Sequence, residues 1–416
     1  MKASTPAIDT QSTKMILGKT LHTTPLQKTY KFRLYPNSEQ SKKLHDTLDA
    51  CRWTYNKMVE MIHSGSFHTR NDLCYFLMEL KQSECWLYSH HSKMLQMVAV
   101  QVDGAQKALA QLRKNGHKTG ELRFARFSEY RTFTYNQSGF DIRDGFLHLS
   151  KIGKIKIIQH RNISENHTIK QITVSKSKSG KWHACVTADI DAILPKISLQ
   201  SSVGIDVGIK NFAYDSDGFV TPNPLNLQKM LRPLARAQRK ISRRQKESNN
   251  RKKAVKWYQI VHERIANRRR DFLHKLSTLY ARKYDVIFLE RLAKLNMTKN
   301  HRLARSILDS GWGTFGMMLD YKTILVEVPA RNTTIQCSRC GNAVPKPLAI
   351  RTHRCVCGLI LDRDHNAAIN ILKKGLAIFN LSPQATISLP QELREVTPVE
   401  ITRWSRKQEA QSFSDG

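Results

Sequence analysis

The stretch CSRCGNAVPKPLAIRTHRCVCGLILDRDHNAAINIL, residues 337–372, constrains this chain more than any other. Two close cysteine pairs, Cys337/Cys340 and Cys355/Cys357, bracket an insert of hairpin length. Four thiolates arranged as two pairs satisfy a tetrahedral zinc ion and leave no position open, which is the structural kind of site. The second pair is one residue tighter than the commonest spacing, and His353 beside it is a spare ligand. Immediately afterwards Asp364, Ala367, Ala368 and Ile371 fall at helical spacing, so Asp364 shares an apolar stripe that Asp362 does not. A carboxylate on a core-facing stripe is costly unless it ligates something. A metal-dependent site is therefore expected around Asp364.

Charge narrows the partners. Lys and Arg number 68 against 34 Asp and Glu, a formal net charge of +34. Such self-repulsion works against folding and fits a protein matched to a polyanion, meaning nucleic acid. No apolar run approaches the ~20 residues that span a bilayer, and the opening MKASTPAIDTQSTKMILGKT lacks the order of a signal peptide. The four unclustered cysteines, Cys51, Cys74, Cys85 and Cys185, suit buried thiols in a reducing compartment. A cytoplasmic protein with no membrane association, two or three domains long, is expected.

In chain order, residues 1–28 are polar and predicted to be a disordered extension. Tyr30, Phe32 and Leu34 alternate with polar neighbours as a half-buried strand stopped by Pro36, and Asn37 with Gln40 forms a capping box. The helix it opens carries Leu44, Leu48, Cys51, Tyr55, Met58 and Ile62 on one face. A further helix spans Met94 to Arg113, closed by Asn115-Gly116. From about Arg131 to Ala188 short strands take over, with turns at Asp144-Gly145, Gly153 and Ser179-Gly180. Lys151, Lys154 and Lys156 sit between apolar residues and give that sheet a basic, wet face.

Asp206 stands in the middle of the strand Val203–Val207, where aspartate is disfavoured and asks for a reason. Asp215 and Asp217 belong to a DSDG turn and need no catalytic role. Residues 232–270 form a strongly basic helical pair, with Arg243, Arg244, Lys252 and Lys253 as phosphate-grade contacts. Tyr284–Glu290 is a buried strand ending in a carboxylate, with Asp285 structural at its outer end. His301–Lys322 is a helix pair punctuated by Gly311 and Gly313.

These motifs together resemble the TnpB/OrfB family, RNA-guided nucleases encoded by insertion sequences and related to type V CRISPR effectors. The resemblance runs from about Thr29 to Gly375. It implies a multidomain α/β protein with an RNase H-like (RuvC) nuclease core, an inserted zinc ribbon, an N-terminal β-barrel wedge and a helical recognition lobe. The implied boundaries are wedge 29–36 and 117–198, recognition lobe 37–116, nuclease 199–335 and 360–375, zinc ribbon 336–359, and a flexible tail 376–416. Asp206, Glu290 and Asp364 take the places of the three catalytic acids. The chain departs from the family in the short connection between Lys322 and the strand at Ile324.

Phosphodiester hydrolysis through two divalent ions needs bridging carboxylates, and oxygen-only ligands select Mg²⁺ or Mn²⁺. The resemblance implies a transposon-derived guide RNA, a target DNA flanked by a short motif, and specificity carried by base pairing. It also implies a prokaryotic, nucleoid-associated setting. Two rivals stand beside this reading: a nuclease-inactive RNA-guided repressor, and a zinc-containing DNA-binding accessory of transposition that uses no RNA.

Overall fold

The structure, a computed structural model, describes residues 26–65, 69–127, 129–164, 167–190, 201–292, 297–347 and 349–380. The extension and tail read from the sequence lie for the most part outside the described residues. Two of their boundaries move. Residues 26–28 already belong to β1 (Leu26–Tyr35), and 376–380 continue the last helix. The described residues divide into two units, one of residues 26–190 with 244–260, the other of residues 201–243 and 261–380.

The first unit is an antiparallel sheet backed by helices. Its strands are β1, β2 (Thr132–Asn136), β3 (Phe140–Arg143), β4 (Phe146–Leu149), β5 (Gly153–Ile158), β6 (Thr168–Lys176) and β7 (Trp182–Ile190). They run in the order β2-β6-β7-β1-β5-β4-β3. β1 is thus central, paired to β7 over Leu26–Leu34 and to β5 at Arg33–Tyr35. The tight turn between β3 and β4 forms because Asp144 and Gly145 both accept positive φ, 52° and 75°. α1 (Ser38–His63) starts at the predicted capping box: the Asn37 side chain accepts from the Gln40 amide at 2.8 Å, and Gln40 returns the contact at 2.9 Å. Leu44, Leu48, Cys51 and Met58 of its predicted stripe are buried, while Tyr55 and Ile62 pack at the margin. α2 (Arg70–Ser83) and α3 (Ser92–Lys114) complete the helical layer.

The second unit is organised by β8 (Ser202–Val207), flanked by β9 (Asn211–Asp215) and β10 (Val220–Pro222) on one side. β11 (Val286–Arg291) and β12 (Ile324–Pro329) lie on the other. The order is β10-β9-β8-β11-β12, antiparallel through the first three strands and parallel from β8 to β12. The helices are α4 (Asn226–Lys229), α5 (Leu231–Ser242), α6 (Asn249–Lys283, of which residues 261–283 belong to this unit), α7 (His301–Ser310), α8 (Trp312–Asp320) and α9 (Arg363–Asn380). Of the two predicted glycine breaks only Gly311 is one: its φ of +71° ends α7, whereas Gly313 lies inside α8. Among the described residues no helix is long and apolar enough to cross a membrane.

The sheet is buried on both faces. Val203, Ile205, Phe212, Leu273, Tyr280 and Phe315 fill one side. Val286, Phe288, Val326, Val328 and Ile371 fill the other. α9 crosses that second face in direct backbone contact. A Cβ on Gly204 would come within 2.3 Å of the Ala368 carbonyl oxygen and 2.5 Å of the Leu372 nitrogen. A Cβ on Gly375 would lie 2.1 Å from the Phe288 ring. Neither gap holds a methyl group, so these two glycines set how close α9 comes to the sheet. The short Lys322 connection leads directly into β12, which keeps six parallel pairs with β11. Lys322 is buried, and its ammonium donates to the His274 carbonyl, Ser277 Oγ and Thr278 Oγ1 of α6 at 2.7–3.1 Å.

Candidate active site

The four predicted cysteines converge. All four Sγ atoms lie within 4.8 Å of one another, with Cys337 to Cys357 at 3.6 Å and Cys340 to Cys355 at 3.5 Å. A tetrahedral zinc with bonds of ~2.3 Å would set its sulfurs ~3.8 Å apart, so the donor set fits such an ion. The shorter second spacing is accommodated by a turn in which the Cys355 amide donates to the Leu359 carbonyl. That turn joins β13 (Thr352–Arg354) to β14 (Ile360–Asp362). His353 stays outside the four-sulfur group. Its ring is fully buried, Nδ1 meets the Lys346 ammonium, and it favours the Cys337 thiolate. Burial pushes that thiol up, but the backbone amides of Cys340 and Arg339, with the imidazole, outweigh it and hold Cys337 at about 5.

The three predicted acids come from three elements. Asp206 lies near the end of β8, Glu290 near the end of the adjacent parallel β11, and Asp364 in the first turn of α9. Parallel pairing of β8 and β11 puts their C-terminal ends side by side, and the close seat of α9 on Gly204 brings its first turn over β8. The Asp206 carboxyl is held well above its ordinary range, first by crowding that strips its water, then by the negative charges of Glu290 and Asp364. Asp362 adds to this and Arg363 opposes it. Glu290 is raised by burial against the pull of Thr333 and Lys374. Asp364 is raised by burial against Arg351, 3.5 Å away, and Lys210. Among the described residues these carboxylates do not close to mutual ligand distance as the sulfurs do.

The helical-face reading separates the two aspartates of the DRD run. Asp362 is exposed and caps α9, its Oδ1 accepting from the Asp364 amide at 2.8 Å; Asp364 is mostly covered. Asp215 is no idle turn residue. It is 1% exposed, accepts from the Asp217 and Phe219 amides at 3.1 and 2.8 Å, and takes the Tyr280 hydroxyl at 3.3 Å. Asp285 is structural, its Oδ2 accepting from the Ser201 amide and hydroxyl at 3.1 and 3.0 Å. The predicted phosphate contacts Arg243, Arg244, Lys252 and Lys253, and Lys151 and Lys154 of the predicted basic sheet face, are all exposed. The first two stand in the α5–α6 connection and the next two in the opening turns of α6.

Several residues around the acids escaped sequence reasoning. Thr333 Oγ1 donates to Glu290 Oε1 at 2.8 Å. The Thr333 carbonyl is itself held by Asn370 Nδ2 at 2.9 Å, and that amide also reaches the Gln336 carbonyl at 2.7 Å. One helical turn earlier Asn366 donates to the same carbonyl at 2.8 Å and accepts from the Ser338 amide at 2.9 Å. Lys373 and Lys374 reach the Ser338 and Arg331 carbonyls. One face of α9 therefore sews segment 331–338 in place, and that segment carries both Cys337 and the partner of Glu290. Two buried asparagines four apart on an apolar helix face were the signal available. Tyr214 pairs across the strands with Asp206, and its ring stacks on His365 at 5.1 Å. A cleft of about 330 Å³ opens beside Glu290, lined by Leu289, Trp312, Gly316, Met317 and Glu327.

Three family models match this chain. The IS605 OrfB model, described as "Probable transposase", covers residues 183–301; the Cas12f1-like TNB domain covers 312–371. A helix-turn-helix model of the same OrfB group covers 26–64, a segment that here folds as strand β1 and the single helix α1. A Streptomyces pristinaespiralis protein provisionally named an RNA-guided DNA endonuclease is 32% identical over 371 residues, 85% of this chain and 90% of the relative. InsQ of Escherichia coli K12, under the same provisional name, is 30% identical over 379 residues, 84% of this chain and 92% of its own. A Cas12f1 solved by cryo-EM with sgRNA and target DNA aligns at a TM-score of 0.47 and 12% identity, over 83% of this chain and 98% of that one. That likeness is too distant to bear on chemistry. Identity at this level over nearly the whole length of the relatives establishes that the chain belongs to the TnpB/OrfB family.

Proposed function

We propose that this protein is an RNA-guided, metal-dependent DNA endonuclease of a transposable element. It cuts DNA matched to a transposon-derived guide RNA, beside a short flanking motif. The observation that carries the reading is the crowding of Asp206 by Glu290 and Asp364, three acids delivered by three elements to the C-terminal ends of two parallel strands. Acids pressed together at a desolvated point are costly in the empty protein, and a bound cation removes that cost. The strand order, three consecutive antiparallel strands followed by two parallel ones, supports an RNase H-like core. The excess of 34 positive charges supports polyanionic partners.

Asp206, Glu290 and Asp364 would hold Mg²⁺ or Mn²⁺, which supplies an activated water and neutralises phosphate oxygens when bound. Thr333 orients Glu290 by its hydroxyl, and α9 holds Asp364 at the mouth of the site. Zinc in the four-cysteine cluster would fix the 337–357 insert, which is too small to build a core of its own.

The test is cleavage of matched DNA by the protein loaded with guide RNA. Asp206→Asn, Glu290→Gln and Asp364→Asn should each bind guide and target yet cut more slowly, by more than the roughly 10–100-fold that follows loss of an outer-shell partner. A native protein that binds both but never cuts would make it a repressor. One that retains no RNA through purification would favour the DNA-binding accessory.

A further inference from the structure

Residues 122–127, Leu-Arg-Phe-Ala-Arg-Phe, form neither helix nor strand, yet two of them are tied to α1 through their backbone. The Asn56 side chain holds both polar groups of Ala125, accepting from its amide at 2.7 Å and donating to its carbonyl at 3.2 Å. His63 Nε2 contacts the Leu122 carbonyl at 2.9 Å. The two residues that pack against the core are Leu122 and Ala125. Phe124 and Phe127, the larger apolar side chains, are left 52% and 67% exposed. A segment tied down by its two smaller apolar residues therefore leaves much of its larger apolar surface in water. Basic side chains border the rings. Arg123 and Arg126 alternate with them and are exposed, the Arg52 guanidinium lies 5.7 Å from the Phe127 centroid, and the His63 ring meets Phe124 edge-on at 5.4 Å.

We propose that Phe124 and Phe127 form a stacking platform for unpaired bases of a single-stranded nucleic acid, with Arg123 and Arg126 taking the adjoining phosphates. Rings held outward on a pinned backbone offer π-faces without an ordering cost, and a base is the partner that needs a flat face between cations. A protein partner would bring no such demand for flanking positive charge. The platform rests on the reading that nucleic acid is the partner.

The experiment titrates the full-length protein with a labelled single-stranded RNA, the DNA of the same sequence, and the matching duplex, over a range of salt. Phe124→Leu and Phe127→Leu keep the apolar character and should leave Tm unchanged. Each should weaken single-strand binding by roughly five- to hundredfold and leave duplex binding and the salt slope as they were. Arg123→Gln and Arg126→Gln should each lower the log–log salt slope by about 0.7. 2-Aminopurine in the strand should be quenched by native protein and not by the double Phe→Leu variant. Preference between the RNA and DNA arms identifies which strand is held. Equal losses on single strand and duplex, or unchanged affinity in a folded variant, would overturn the platform, the latter pointing to a protein partner. Native protein that binds none of the probes would overturn the nucleic-acid reading itself, and the platform with it.

Discussion

The two clusters that could hold metal are built in opposite ways. The four sulfurs come from two short turns, and they lie within 4.8 Å of one another. The three carboxylates come from two strands and a helix spread between residues 206 and 364, and they press on each other electrostatically without closing. A closed thiol set fixes a fold, whereas acids held in tension keep room and free energy for ions and substrate. Segment 331–338 joins the two, since α9 grips it through Asn366 and Asn370 while it supplies Cys337 to one cluster and Thr333 to the other.

Breaking the thiol set should have the largest effect on folding. Cys340→Ser should reduce zinc from about one ion per chain to little or none, and lower the thermal stability of the protein more than any change at the acids. Elemental analysis and calorimetry check this. A protein that stays fully folded without zinc would erase the contrast between the two clusters.

The link between them is tested at Thr333. Thr333→Val should reduce cleavage roughly 10–100-fold and raise the Mg²⁺ needed for half-maximal rate, with zinc content unchanged. Thr333→Ser, which keeps the hydroxyl, should restore both. If Val and Ser behave alike, the hydrogen bond to Glu290 contributes nothing to catalysis.

A smaller effect sharpens the tension at the acids. A carboxyl whose folded pKa is raised stabilises the protein fully below its unfolded value, and that stability is lost as pH rises through the raised value. Without divalent ions the native protein should therefore lose stability as pH climbs from the ordinary carboxylate value of 3.8 into the raised range of Asp206. Asp206→Asn should lack that loss and melt higher at neutral pH, by about 2–4 °C for each kcal/mol relieved. Added Mg²⁺ should stabilise native protein and not the variant. In cleavage, the acid limb of the pH profile should lie above the ordinary carboxylate range, because the acids must ionise before they can ligate.

The smallest change belongs to Asp362. Asp362→Ala removes the cap of α9 at a cost of about 1 kcal/mol and should leave cleavage near native. Asp215→Ala, by contrast, should cost more stability than Asp362→Ala, though less than loss of the thiol set, since it strips a buried acceptor from two amides and a tyrosine hydroxyl.

What the sequence determined by itself was encoded within a few residues of chain. The cysteine spacing, the Asn37–Gln40 box, the Asp144-Gly145 turn and the distinction between Asp362 and Asp364 each follow from local geometry, in which bond lengths and helical or strand periods fix who meets whom. Tertiary structure alone decided the rest. Gly204 reads as an ordinary strand residue until α9 lies against it, and Asn366 and Asn370 read as polar intrusions until segment 331–338 offers them its carbonyls. Asp215 reads as turn chemistry until Tyr280, sixty-five residues away, brings its hydroxyl. These meetings depend on the register of elements remote in the chain, which is set by how the two faces of one sheet are covered, and no short window of sequence carries it.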